Sequence, residues 1–126
     1  QYARAYIAAG DWWMFTKENP ANAIYWYKKS RDMQPLNPEL MLRFGYYYAD
    51  QNQFDSARQY FEKAVSINPG NPTYHYFLAN SELNTGRIDE AKRELEFLQQ
   101  TFPDSEITKN LEKMFKPAET KIKEGN

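Results

Sequence analysis

Few residues in this chain could do chemistry. Its 126 residues include one histidine, His75, and no cysteine. A Cys–His pair, a Cys-ligated zinc or a two-histidine metal site therefore cannot be assembled from it. His75 falls in a helical column that elsewhere holds packing residues, so a structural imidazole is expected rather than a base or ligand. Glu90, Glu94 and Glu96 interleave with Lys92 and Arg93, a pattern expected of an exposed, salt-bridged helix face rather than of a carboxylate dyad. Five scattered glycines form no phosphate loop. No catalytic, cofactor-binding or metal-ligating residue is assigned, no cofactor is expected, and the chain is not expected to be an enzyme.

Composition narrows the remaining classes. A formal net charge of -1 gives no general reason to bind nucleic acid or anionic lipid, and no partner of either kind is expected. No apolar run approaches the roughly 20 residues that span a bilayer, so direct membrane insertion is not expected, and no basic-then-apolar leader precedes the first helix. The absence of cysteine is compatible with reducing and oxidising compartments alike, which leaves localisation open. Starting on Gln1, the chain is expected to be a processed form or a domain cut from something longer. Aromatic residues make up 17%, enough to build a core from a few large side chains.

The elements that carry these residues repeat. A step of 34 superimposes Pro35, Pro69 and Pro103; Ala23, Ala57 and Ala91; Tyr27, Phe61 and Leu95; and Pro20, Phe54 and Ile88. Self-similarity at such a period marks stacked units, none of which can bury its apolar face alone. Within the clearest copy, Phe44-Gly45-x-x-Tyr48, then Ala57-x-x-x-Phe61, Ala64 and Pro69 resemble the tetratricopeptide repeat signature. The resemblance implies an all-α, right-handed superhelical solenoid of three helix-turn-helix repeats. They are placed at about 3–37, 38–71 and 72–105, with a C-terminal capping helix at about 104–116 and a frayed tail over 117–126.

Local signals supply the boundaries. Gln1 to Glu18 reads as one helix with Gly10 inside it, and Gly10, Gly45 and Ala79 form a small column expected where two helices approach closely. The Gly10-to-Gly45 offset exceeds the period by one, and the extra residue is expected near Glu18-Asn19-Pro20. Asn19, Asn37 and Asn71, each before a proline, read as N-caps, as do Asp55 and Asp89. Gly86 suits a left-handed helix end. Glu82 replaces the Trp13 and Tyr48 of its column, so the third pair is expected to pack less tightly unless Leu83 substitutes. Ile107, Leu111, Met114 and Phe115 form the stripe of the last helix.

The family geometry also orients side chains. Gly45 and Tyr48 are expected in the core, with Tyr46 on the concave wall beside Asp11 and Asn80, and with Ile7, Leu42 and Tyr76 four residues earlier in each helix. With Arg43 and Asn84, these make a peptide-binding groove: Ile7, Asp11, Leu42, Arg43, Tyr46, Tyr76, Asn80 and Asn84. Relatives of the chaperone-binding type clamp a C-terminal carboxylate with several cations, whereas the first helices here are nearly free of them. An extended or helical segment held by aromatic contacts and amides fits better. The function expected is a non-catalytic protein-protein interaction module that binds a peptide segment of a partner. Two alternatives stand beside it: a docking or regulatory domain of a larger enzyme or membrane-associated complex, and a scaffold that self-associates through the N-terminal helix, where Trp12, Met14 and Phe15 add apolar surface.

Overall fold

The computed structural model describes residues 2–124, with side chains described through Lys116. Among the described residues every regular element is a helix. In order these are α1 (Tyr2–Asp11), continued by a π-helical segment (Trp12–Thr16), then α2 (Pro20–Met33), α3 (Pro38–Asp50), α4 (Phe54–Ile67), α5 (Pro72–Asn84), α6 (Ile88–Thr101) and α7 (Glu106–Glu124). The all-α class expected from the repeat is what the chain forms. It divides into two compact units, Gln1–Pro69 with two helix pairs and Gly70–Asn126 with one pair and α7. Of the tail expected over 117–126, residues 117–124 are the helical backbone that ends α7 at Glu124, and 125–126 lie outside the described residues.

The asparagine caps of α2, α3 and α5 follow the sequence closely. Asn19 Oδ1 accepts from the Asn22 amide at 3.1 Å, Asn37 Oδ1 from Glu39 at 3.0 Å and Asn71 Oδ1 from Thr73 at 2.9 Å, each with proline at the first helical position. Asp55 and Asp89 are corrected: α4 and α6 start one residue before them, behind Gln53 and Arg87, with no side-chain cap. The preceding turn is the cause. Gln53 donates its amide to the Tyr48 carbonyl at 2.9 Å and Arg87 to that of Glu82 at 2.7 Å, closing one helix and starting the next within three residues. Asp55 instead lies in the first turn, where its carboxylate meets the positive helix end and the Arg58 guanidinium, 2.9 Å away.

The extra residue of the first repeat lies in the helix and not near Pro20. All three turns inside pairs have the same length, 17–19, 51–53 and 85–87, and their middle residues share a left-handed backbone: Glu18 at φ 52°, Asn52 at 61° and Gly86 at 77°. What differs is the helix before the turn. Trp12–Thr16 widens to π geometry, Lys17 donates to the carbonyl of Trp12, and Asn19 reaches the carbonyl of Trp13, one residue further back than its counterparts reach. A widened turn absorbs one residue while leaving the flanking faces in register.

In the first unit, Ala23, Tyr27, Leu40 and Phe44 are buried together with Ile7, and Trp13, Met14, Ile24 and Tyr60 pack on them. Gly10 and Gly45 make the close approaches expected of them: a Cβ at Gly10 would strike the Tyr27 ring, and one at Gly45 the Phe61 ring. Tyr48, expected in the core, is only half-buried; it stacks on Tyr60, ring centroids 5.5 Å apart, because Tyr27 and Phe61 already fill the space under the glycines.

In the second unit, Ala79, Ala91 and Leu98 meet Leu111 and Phe115 of α7, with Ile107 and Met114 beside them. Thr108 is fully buried and donates its hydroxyl to the Phe102 carbonyl at 2.6 Å, fastening α7 to the end of α6. Glu82 is buried, and Leu83 packs on the cluster as the substitute that the repeat pattern asks for. His75 is buried, stacked on Phe97 with centroids 4.0 Å apart, its Nδ1 2.7 Å from Glu94 Oε2. Glu94 therefore leaves the solvated face assigned to it and is half-buried, because α5 presents an imidazole to that turn of α6.

Candidate functional site

On the first unit the wall is built by α1 and α3. Helical spacing puts Arg4, Ile7 and Asp11 on one face of α1, and Glu39, Arg43 and Tyr46 on one face of α3. Asp11 is the hub. Its Oδ1 accepts from Arg43 Nε at 2.8 Å and from Tyr27 Oη at 2.7 Å, and its Oδ2 accepts from Arg43 Nη2 at 3.1 Å. Arg43 Nη1 lies 3.4 Å from Glu39 Oε2. Two N–H bonds from one guanidinium edge to one carboxylate fix the arginine's orientation as well as its charge.

The electrostatics follow from partial burial. Burial pulls the Arg43 guanidinium down, but the hydrogen bond and charge of Asp11, with Glu39 behind them, outweigh it and hold it above its ordinary value. Burial pushes the Tyr27 hydroxyl far up, and its bond to Asp11 and that carboxylate's charge push the same way. Burial also raises the Tyr46 hydroxyl against the opposing pull of Arg43. The wall is thus charged yet internally balanced.

Beside this network is a cavity of about 590 Å³ lined by Arg4, Ile7, Gln34, Asn37, Glu39 and Arg43. Tyr46 is half-buried, its ring edge-on to Phe61 and Phe15 with centroids 6.2 and 6.0 Å away. Of the residues expected here, Asp11, Arg43 and Tyr46 present themselves on the wall, while Ile7 and Leu42 are buried within the unit. Arg4, Gln34, Asn37 and Glu39 escaped sequence reasoning, although the i, i+4 spacing of Glu39 and Arg43 was a usable signal.

On the second unit the expected residues all belong to α5. Tyr76 is half-buried against the core cluster and edge-on to Phe77 at 5.1 Å. Asn84 Nδ2 donates to both the carbonyl and the Oδ1 of Asn80, each at 2.9 Å, so these amides partly satisfy each other. Among the described residues no group of three His, Cys, Asp or Glu side chains could hold a metal ion, and no helix is long and apolar enough to cross a membrane.

Paired helices that meet at a glycine or alanine, with proline-led first helices in the second and third pairs and a left-handed turn inside each pair, define an all-α helix-pair repeat protein. The sequence profile of the tetratricopeptide repeat matches residues 48–112, just over half of the chain, and the chain belongs to that family. No curated protein sequence matches it. Among solved structures it is similar to the first TPR of Spaghetti (RPAP3) bound to the HSP90 peptide SRMEEVD, at 23% identity over 94% of each chain, with a TM-score of 0.81. It is similar also to the Sgt2 TPR domain from Aspergillus fumigatus, at 18% identity over 97% of this chain and 82% of that one, with a TM-score of 0.82. A third is the second TPR domain of the human RPAP3 protein in complex with the HSP70 peptide SGPTIEEVD, at 16% identity over 91% of this chain and 95% of that one, TM-score 0.78. At these identities the likeness shows a shared fold.

Proposed function

We propose that this chain is a non-catalytic protein-interaction module that holds a peptide segment of a partner against the first helices of its repeats, and that the repeat boundaries at 3–37, 38–71 and 72–105 delimit its working units. The observation that carries the reading is the prearranged row Asp11, Arg43 and Tyr46: a guanidinium clamped by two bonds beside a half-buried ring already wedged between two others. Side chains already ordered lose little freedom when a ligand arrives. Two of the similar structures hold short peptides, which lends the reading general support.

Both peptides end in Glu-Glu-Val-Asp; a different segment is proposed here. Arg43 is already paired with Asp11 and approached by Glu39, so a further carboxylate would meet a cation whose charge is compensated. The segment proposed is uncharged or mixed; Tyr46 is its anchor on the first unit, and Tyr76 is proposed separately as an anchor on the second. The test is selection of peptides from a random display library on the intact chain, followed by fluorescence anisotropy with Tyr46→Ala and Tyr76→Ala. Each variant is expected to keep its helical circular dichroism and to bind roughly thirtyfold more weakly, the loss of about 2 kcal/mol usual for an aromatic anchor. Free-acid SRMEEVD is expected to bind no better than its C-terminal amide. Normal binding by both alanine variants, or a strong preference for the free acid, would remove this reading.

A further inference from the structure

The first unit carries a separate cleft, lined from α2, the connection to α3, α3 itself and α4. It measures about 380 Å³ and is lined by Leu36 and Met41 with Tyr60 and Ile67, and by the cations Arg31 and Lys63. Leu36 is 78% exposed and Ile67 41%, while Met41 is buried at its base. None of these residues belongs to the Asp11–Arg43–Tyr46 wall.

The two cations distinguish this cleft from an ordinary apolar dimple. The Arg31 guanidinium stands over the face of Phe44, and the Lys63 ammonium over that of Tyr60, each 4.9 Å from the ring centroid. Those rings stack on each other with centroids 5.2 Å apart. The aromatic faces therefore locate both positive charges without neutralising them. Among the described residues neither Arg31 nor Lys63 forms an ion pair, whereas Arg43 and Arg58 each pair with two carboxylates.

We propose that this cleft is a second docking site, for a partner peptide that presents a bulky apolar side chain flanked by carboxylates. The apolar side chain covers Leu36 and Ile67, which water now wets, and the carboxylates meet two positioned cations that lack an anionic partner. A basic segment would meet like-charge repulsion at the same place.

The test uses the intact chain and two labelled hexapeptides, N-acetylated and C-amidated, each with leucine-phenylalanine at the centre, one flanked by glutamates and the other by lysines. The acidic peptide is expected to bind, to shift the amide resonances of Leu36, Lys63 and Ile67, and to weaken as salt rises. Lys63→Glu and Leu36→Asp, both at accessible positions, are expected to weaken it about tenfold or more, the equivalent of one charge-assisted contact. Tyr46→Ala should leave this binding unchanged, so its outcome is independent of the first-helix reading. Equal binding of the lysine peptide, or shifts confined to the Asp11–Tyr46 face, would overturn the proposal. So would tighter occupancy of the cleft by 2-naphthoate than by the acidic peptide, or a concentration-dependent dimer abolished by Lys63→Glu. These would assign the cleft to small carboxylic acids or to a second copy of the chain.

Discussion

The pair α3–α4 and the pair α5–α6 solve one packing problem with opposite volumes. In α3–α4 the small column holds Gly45, and the Phe61 ring fills the space that a Cβ would occupy. In α5–α6 the same column holds Ala79, and the position of the ring is taken by Leu95, which packs on the cluster containing Ala79. One methyl appears on the first helix where an aromatic ring gives way to an aliphatic chain on the second. The pair α1–α2 follows the first pattern, with Gly10 under Tyr27. Interiors at crystal-like density tolerate exchange of volume between facing positions far better than unilateral change.

The largest effects come from breaking that exchange on one side. Gly45→Ala should lower stability by roughly 1–3 kcal/mol in urea unfolding, even though alanine favours the helix by about 1 kcal/mol, because the new methyl meets the Phe61 ring. Adding Phe61→Leu should recover part of the loss, with a coupling of about 0.5–3 kcal/mol in the double-mutant cycle. Strict additivity would show that the two positions do not share volume. Ala57→Leu, at a fully buried small position on the second helix, should cost about 1–3 kcal/mol alone.

A smaller effect tests the polar difference between the pairs. The first pair ties its large ring through Tyr27 Oη to Asp11, while α5–α6 uses His75 and Glu94. Tyr27→Phe should cost about 1.5 kcal/mol at neutral pH, the lower value for a bond to a charged acceptor. It should also change the alkaline limb. The folded state holds the Tyr27 proton well above the ordinary value near 10, so on raising pH the unfolded chain releases it first. Stability present below about pH 10 is therefore lost above it, and Tyr27→Phe should make that loss shallower in denaturation at pH 9 to 11. An unchanged alkaline slope would mean that other tyrosines govern it.

The smallest effect concerns the turns. Gly86 takes the left-handed backbone without a steric cost, whereas Glu18 carries a Cβ there at φ 52°. Glu18→Gly should stabilise by up to about 1 kcal/mol, while Gly86→Ala should destabilise by a similar amount, both read from thermal midpoints. Destabilisation by Glu18→Gly would show that the Glu18 side chain contributes more than its backbone costs.

The helix pairs, the asparagine-proline starts, the small column and the stripe of α7 were all legible in the residues, because each depends on local propensity or on a spacing that any helix converts into a face. Proline before a helix, a glycine under a ring and an apolar residue every third or fourth position mean the same thing in most surroundings. Candidate site residues were legible only as columns. The column containing Ile7 and Leu42 could be named, but whether those side chains point outward or complete the interior depended on how Tyr27 and Phe61 filled the neighbouring space.

Where the extra residue went, and which groups it left in place, had to wait for the packed molecule. Counting shows ten steps from Gly10 to Pro20 against nine from Gly45 to Phe54, but a count has no location. The slack entered at Trp12–Thr16 because the turn at 17–19 keeps the length and the left-handed middle residue of its counterparts, while a helix can widen by one residue and still pair its amides, Lys17 with Trp12 and Asn19 with Trp13. The partners of His75 and Asp11 were beyond local reach for a related reason. Glu94 and Arg43 lie 19 and 32 residues away in sequence, and only the packing of one helix on another decides which charges meet.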